Sequence, residues 1–129
     1  MAQLVDTCGW IEWLTDGILV QAFEPWLSKL DQVYMPTVVQ FELYKWTKRE
    51  RDEATALEVI ALTEQCQVVT LDTSISLLAA DLALQHRLSF ADAIIYATAQ
   101  QKNAELITSD DHFEGLPQVV YFEKVRALQ

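Results

Sequence analysis

Four acidic residues of the chain are candidates for a single site: Asp6, Glu42, Asp92 and Asp110. Asp6 and Asp110 each follow a strand-like run, whereas Glu42 and Asp92 fall on apolar faces of segments with helical spacing. Burying a carboxylate costs on the order of several kcal/mol unless a cation compensates it. If the fold brings the four together, a divalent metal ion is the simplest explanation for them.

Three of these acids also have a local explanation. Asp is favoured as an N-cap, so Asp6 and Asp110 are each expected to cap the helix or turn that follows. Asp92 lies three residues after Ser89, which is the spacing of a capping box, and it shares a helical face with Tyr96. Each residue alone is weak evidence for a site, and the joint arrangement in one small chain is the stronger signal.

Glu42 is the most informative of the four because it occupies a core-type position. It falls on one helical stripe with Val39, Leu43 and Trp46. A carboxylate pointing inward requires a partner. Two alternatives to a metal partner remain for Glu42. Its stem could pack at the edge of the core while its carboxylate reaches water, or its carboxylate could pair with nearby Lys45.

Oxygen ligands at this density favour a hard cation, Mg²⁺ or Mn²⁺. Zinc would require Cys or His ligands, and no ligand spacing is visible among the candidates Cys8, Cys66, His86 and His112. A nucleophilic Cys8 would require a histidine beside it, and nothing in the sequence places one there. The sequence has no glycine-rich phosphate loop and no nucleophile elbow.

Composition indicates one globular domain. The chain has 129 residues, of which 51% are hydrophobic, and no apolar run long enough to span a membrane. No secretory signal is visible, and two cysteines are too few for a disulfide framework. We therefore expect a cytoplasmic protein with reduced thiols.

The net charge of −10 argues against a general nucleic-acid binder. Four basic residues concentrated in seven positions are nevertheless candidates for RNA contact: Lys45, Lys48, Arg49 and Arg51. A metal ion among the acids would also reduce repulsion of a polyanion. The acidity also suits a basic protein partner, or a solvated surface that aids solubility.

Strand-like and helix-like runs alternate, which predicts an α/β domain with a mainly parallel sheet. The predicted strands are 2–6, 33–35, 67–70, 105–108 and 119–122. The predicted helices are 8–16, 18–31, 37–50, 52–65, one that begins at Asp72 or Thr73, and 90–102, with a helical turn at 110–113. Thr37 is predicted to cap its helix in a capping box with Gln40, and Ser89 to cap the helix at 90–102.

The chain resembles the PIN-domain ribonucleases, specifically the VapC toxins of toxin–antitoxin pairs, over nearly its whole length. Leu4–Ile11 is similar to the family's opening strand-Asp-Thr motif, and Glu42 matches its helical Glu. Leu88–Ala99 resembles its most specific segment. Leu106–Phe113 resembles its Thr-x-Asp-x-Asp-Phe signature, with His112 in place of the second Asp.

The resemblance implies a single three-layer α/β/α domain over residues 1–129 and a Mg²⁺- or Mn²⁺-dependent endoribonuclease. Asp6 and Asp92 would bind the metal directly, and Glu42 and Asp110 would complete the site. Thr7 and Thr108 would orient the carboxylates by hydrogen bonds without binding the metal themselves. The metal would bind the scissile phosphate and activate a water molecule, and whether one ion or two are bound stays open.

The resemblance also implies partners. Similar toxins form homodimers and are silenced by a cognate VapB-type antitoxin with a basic C-terminal segment. The RNA target is expected to be transfer or ribosomal RNA. The four tryptophans would serve the antitoxin groove, the dimer face or, equally, the core: Trp10, Trp13, Trp26 and Trp46.

Two other functions compete with this one. A catalytically silent PIN-like interaction module would keep the fold without the chemistry, although four retained acids argue against it. A phosphatase of the haloacid dehalogenase type would use a strand-ending Asp as nucleophile. That chemistry requires a second Asp two residues on, where this chain has Cys8.

Overall fold

A computed structural model describes residues 2–124 of the chain. Its centre is a five-stranded sheet of order β3-β2-β1-β4-β5, in which all neighbouring strands are parallel. The strands are β1 Gln3–Val5, β2 Val33–Pro36, β3 Gln67–Val69, β4 Glu105–Thr108 and β5 Val119–Tyr121. The predicted parallel sheet is confirmed.

Helices connect the strands, as parallel pairing requires. They are α1 Thr7–Leu14, α2 Val20–Phe23, α3 Thr37–Glu50, α4 Glu53–Thr63, α5 Thr73–His86 and α6 Phe90–Gln101. Shorter 3₁₀ turns lie at Glu24–Leu27, Leu30–Gln32 and Asp111–Phe113. Helix α3 packs on α4 and α5 packs on α6, and the predicted three-layer α/β/α fold is confirmed. Each helix within residues 2–124 is too short or too polar to cross a bilayer.

The predicted continuous helix at 18–31 is wrong. The segment instead contains α2 and two 3₁₀ turns, of which the first has Pro25 near its start. Proline has no N–H to donate and its ring clashes with the preceding turn, so an α-helix does not continue through it. Lys29 then leaves the helical region with φ −130° and ψ 88°.

The predicted capping box at Thr37 is also wrong. Helix α3 begins at Thr37 itself, with Pro36 before it and no side-chain cap. Gln40 instead donates hydrogen bonds to Thr63 Oγ1 at 3.1 Å and Glu64 Oε2 at 2.7 Å. The Gln40 side chain therefore stabilises the packing of α3 against the end of α4, rather than capping α3 as the local pattern predicts. The Ser89 cap on α6 is confirmed.

The strand order creates a cleft beyond β1 and β4. From β1 the chain moves to β2 and β3 on one side, and it then returns to add β4 on the other side. Connections therefore leave β1 and β4 in opposite directions, and the carboxyl ends of two such strands border a crevice where α/β proteins bind ligands.

Close packing holds α1 against the sheet beside this cleft. A Cβ atom at Gly9 would lie 2.6 Å from Phe23 and Val5, so only glycine allows this approach. Trp10 is fully buried and contacts Trp13 edge-on, with ring centroids 5.7 Å apart. Trp10 thus belongs to the core, while Trp13, Trp26 and Trp46 are partly buried.

Candidate active site

Asp6 is fixed at the carboxyl end of β1 by two hydrogen bonds. The backbone N–H of Thr7 donates to Oδ1 at 2.8 Å, and the hydroxyl of Thr108, on the neighbouring strand β4, donates to Oδ2 at 2.8 Å. The residue is only 4% exposed. Asp6 therefore does cap α1, as the local explanation predicted, and it also presents a buried carboxylate at the cleft.

Thr108 connects two of the acids. Besides donating to Asp6, its hydroxyl oxygen accepts the backbone N–H of Asp110 at 2.9 Å. A residue predicted to orient carboxylates thus contacts one directly and holds the backbone of another. The parallel pairing of β1 with β4 brings Thr108 to this position.

Glu42 reaches the same cleft from α3. Its Oε1 accepts a hydrogen bond from the Thr7 hydroxyl at 2.5 Å, and its side chain is half-buried. The alternative pairing with Lys45 is not found among the described residues, because the Lys45 ammonium lies 5.8 Å from the centre of the Phe41 ring instead. Thr7, like Thr108, therefore contacts a carboxylate of the cluster.

Asp92 and Asp110 come from two different elements, α6 and the turn after β4. Asp92 lies in the first turn of α6, where its N–H donates to Ser89 Oγ at 3.4 Å. Asp110 accepts the N–H of His112 at 3.0 Å, so it caps the turn that follows β4. Ligand atoms of Asp92, Asp110 and His112 all lie within 4.8 Å of one another.

The acids affect one another electrostatically. Burial and, secondarily, the charges of Asp92 and Asp110 raise the pKa of Asp6 from 3.8 to about 7, although its hydrogen bonds with Thr108 and Thr7 oppose the shift. Burial and, secondarily, the charges of Asp110 and Glu42 raise the pKa of Asp92 from 3.8 to about 6. All four predicted acids thus contribute to one cluster of negative charge.

Among the described residues, Asp92, Asp110 and His112 are close enough together to hold a divalent cation, whereas Asp6 and Glu42 lie outside that group. Buried carboxylates in proteins are paired with cations or coordinate metals, and the buried Asp6 has no cationic partner among the described residues. The donors are mostly carboxylate oxygens, which suit Mg²⁺ and Mn²⁺. The ligand roles of these acids stay predictions.

Cys8 lies beside the cluster but does not have the character of a nucleophile. Its Sγ is 3.7 Å from Asp6 Oδ2 and 3.3 Å from Ser109 Oγ. Burial, and secondarily the charge of Asp6, raises the pKa of the thiol to about 11, so it is protonated at neutral pH. A nucleophilic Cys8 is therefore disfavoured.

His112 is the site residue that sequence reasoning missed. The family resemblance identifies it only as the residue that replaces the second Asp of the signature, and the sequence shows no metal-ligand spacing around it. Its Nδ1 lies 2.8 Å from Asp110 Oδ1 and 3.9 Å from Asp92 Oδ2. The sequence signal for His112 is its position two residues after Asp110 in a predicted tight turn, because that spacing brings the imidazole ring next to the capping carboxylate.

The four basic candidates differ in their surroundings, and one of them, Arg49, pairs with Glu50 at 3.0 Å. Lys45 and Arg49 line a cavity of about 260 Å³ that Glu42 and Thr7 also line. Lys48 pairs with Glu53 at 3.2 Å, and Arg51 lines a different cavity of about 210 Å³. Only two of the four therefore share a cavity with an acid of the cluster.

The sequence matches the family model for the PIN domain over residues 4–118. A toxin-antitoxin complex from Klebsiella pneumoniae is similar in structure, with a TM-score of 0.79 and 26% identity, and the match covers 92% of this chain and 96% of that one. No curated protein sequence matches significantly.

Two further structures are similar in fold at lower identity. FitAcB from Neisseria gonorrhoeae has a TM-score of 0.72 at 20% identity, covering 93% of this chain and 96% of that one. VapC20 from Mycobacterium tuberculosis, a sarcin-ricin loop cleaving toxin, has a TM-score of 0.68 at 19% identity. That match covers 95% of this chain and 90% of the toxin.

Proposed function

Because the chain belongs to the PIN-domain family, we propose that it is a metal-dependent endoribonuclease and the toxin of a type II toxin–antitoxin pair. The observation that carries this proposal is the group of acids at the carboxyl ends of β1 and β4, where Thr108 and Thr7 hold Asp6 and Glu42 and where ligand atoms of Asp92 and Asp110 lie within 4.8 Å of each other. The similar VapC20 is an RNA-cleaving toxin, which supports RNA as the substrate class.

Each acid has a role in this proposal. Asp6 and Asp92 would bind Mg²⁺ or Mn²⁺ directly, and Glu42 and Asp110 would complete the site, either directly or through metal-bound water. When bound, the ion neutralises charge on the scissile phosphate and lowers the pKa of the attacking water. The chain's own residues provide the geometry, because the Thr7 and Thr108 hydroxyls hold Glu42 and Asp6 in position.

The partners follow from the same proposal. The Klebsiella pneumoniae structure is a toxin-antitoxin complex, which supports an antitoxin partner here. With a net charge of −10, this chain would attract a basic antitoxin segment. A homodimer, a transfer- or ribosomal-RNA target and a cytoplasmic location are further parts of the proposal.

The test compares two substrates under one set of conditions. Purified protein with Mg²⁺ or Mn²⁺ is expected to cleave a labelled structured RNA internally and to leave p-nitrophenyl phosphate intact. Hydrolysis of the phosphomonoester without RNA cleavage would favour the phosphatase. Activity on neither substrate would favour the silent interaction module.

Lys45 and Arg49 are proposed to bind the RNA backbone beside the acids. Replacing either by alanine is expected to raise KM for RNA about threefold to tenfold, because each removes a phosphate contact, and to leave kcat within about twofold. Initial rates over a range of RNA concentrations measure both quantities.

Lys48→Ala is the matched control for Lys45→Ala, since Lys48 carries the same charge on the same helix but does not line the cavity beside Glu42 and pairs with Glu53 instead. It is expected to leave KM unchanged. Equal increases in KM for the Lys45 and Lys48 variants would show that only overall charge matters, and would remove the assigned RNA contact.

A further inference from the structure

His112 faces the acidic cluster in a way that the family signature does not explain. Its Nδ1 lies 2.8 Å from Asp110 Oδ1 and 3.9 Å from Asp92 Oδ2, on the turn that follows β4. The side chain is 69% exposed, so no packing fixes the ring there.

These distances are close to those between ligands of one metal ion. With bonds of about 2.1 Å, adjacent ligands of an octahedral ion are about 3 Å apart. The separation of His112 Nδ1 from Asp110 Oδ1 already matches that spacing, and a shift of the exposed ring by about 1 Å would bring Asp92 to it.

The chemistry of the donor distinguishes His112 from the carboxylate that the family signature has there. Imidazole nitrogen is a softer ligand than carboxylate oxygen and suits first-row transition ions, whereas Mg²⁺ prefers oxygen ligands and retained waters. A nitrogen ligand therefore raises affinity for Mn²⁺ and its heavier neighbours more than for Mg²⁺.

We propose that His112 is a nitrogen ligand of the metal centre together with Asp92 and Asp110, and that the centre therefore selects Mn²⁺ over Mg²⁺. This inference rests on the proposed metal-dependent function and specifies which ion the site takes. The competing role for His112 is a hydrogen bond that merely positions Asp110.

Pulsed electron paramagnetic resonance of the Mn²⁺-loaded protein distinguishes the two roles without an activity assay. A directly bound imidazole is expected to give ¹⁴N modulation in the wild-type spectrum. The chain has two histidines, and the other one, His86 at the end of α5, contacts Tyr96 of α6 with ring centroids 5.8 Å apart. His86→Gln is therefore the matched control and should retain the signal.

Two variants of the ligand itself complete the test. His112→Asp, which restores the family's carboxylate, and His112→Asn should both lose the ¹⁴N signal. Calorimetric titrations of Mn²⁺ and Mg²⁺ should show the ratio of their affinities falling about tenfold in His112→Asp. Thermal unfolding confirms that each variant is folded before titration.

The outcomes separate this inference from the function on which it rests. Mn²⁺ binding without ¹⁴N modulation, or an affinity ratio unchanged in both variants, would overturn the ligand role of His112 and leave the metal-dependent nuclease standing. Absence of Mn²⁺ and Mg²⁺ binding to the wild-type protein would overturn both.

Discussion

Asp6→Asn and Asp92→Asn are each expected to lower kcat for RNA cleavage by at least about a thousandfold. Asparagine keeps the size of the side chain and one oxygen, but it removes the negative charge that a divalent ion requires. At position 6 the oxygen can still accept the N–H of Thr7, which holds the start of α1. The loss is therefore expected in catalysis while the fold is retained.

Single-turnover cleavage of an end-labelled RNA measures this effect, with circular dichroism to verify the fold. Asp81→Asn is the matched control, because Asp81 is an exposed aspartate of α5. Its rate should equal that of the wild type. Unchanged cleavage in both the Asp6 and the Asp92 variants would remove these residues from the site.

The same Asp6→Asn substitution is expected to stabilise the metal-free protein above neutral pH. Burial raises the pKa of Asp6 from 3.8 to about 7, so ionising this carboxyl opposes folding. Its contribution to stability is fully present below pH 3.8 and is lost as pH rises through about 7. At 1.36 kcal/mol per pKa unit, the difference between these two values corresponds to a loss of at most about 4 kcal/mol in the free energy of unfolding.

Urea unfolding in EDTA at pH 5 and pH 8 measures this difference. The wild type should lose stability between the two, and Asp6→Asn should lose distinctly less. Some loss should remain in the variant because burial also raises the pKa of Asp92. Equal losses of unfolding free energy in the two proteins would show that ionisation of Asp6 does not destabilise the fold. Adding Mg²⁺ or Mn²⁺ at pH 8 should stabilise the wild type by mass action.

Loss of activity and gain of stability at one residue together indicate a functional site. A carboxylate that only capped α1 would stabilise the protein, and its loss would cost about 1 kcal/mol. A carboxylate retained for metal binding is unfavourable until the metal arrives. Asp6 caps α1, which is favourable, and is buried, which makes its charge unfavourable without a metal ion. The sign of the stability change in Asp6→Asn shows which of these two effects is larger.

The sequence was sufficient to predict the frame of the site. Asp6 and Asp110 were placed at strand ends because the apolar runs before them are short and bounded by polar residues. Glu42 was placed on the inner face of α3 because helical spacing fixes its direction. Such signals are local, and the sheet order then brings their elements together.

What the sequence did not predict depends on contacts between distant elements. The difference between Lys45, at the cleft, and Lys48, paired with Glu53, arises from how α3 packs on α1 and α4. Gln40 binds Thr63 rather than a cap for the same reason. His112 was read as a lost carboxylate, and only the folded turn returns its ring to Asp110.

Reversible metal dependence of RNA cleavage is the most direct test that the acidic cluster is a metal-dependent nuclease site. One preparation is assayed on end-labelled RNA as purified, after EDTA, and after excess Mn²⁺ or Mg²⁺ is restored. Internal cleavage should stop with EDTA, return with the ion, and remain absent from Asp92→Asn under every condition. Cleavage that continues unchanged in EDTA, or that persists in Asp92→Asn, would contradict the proposed site.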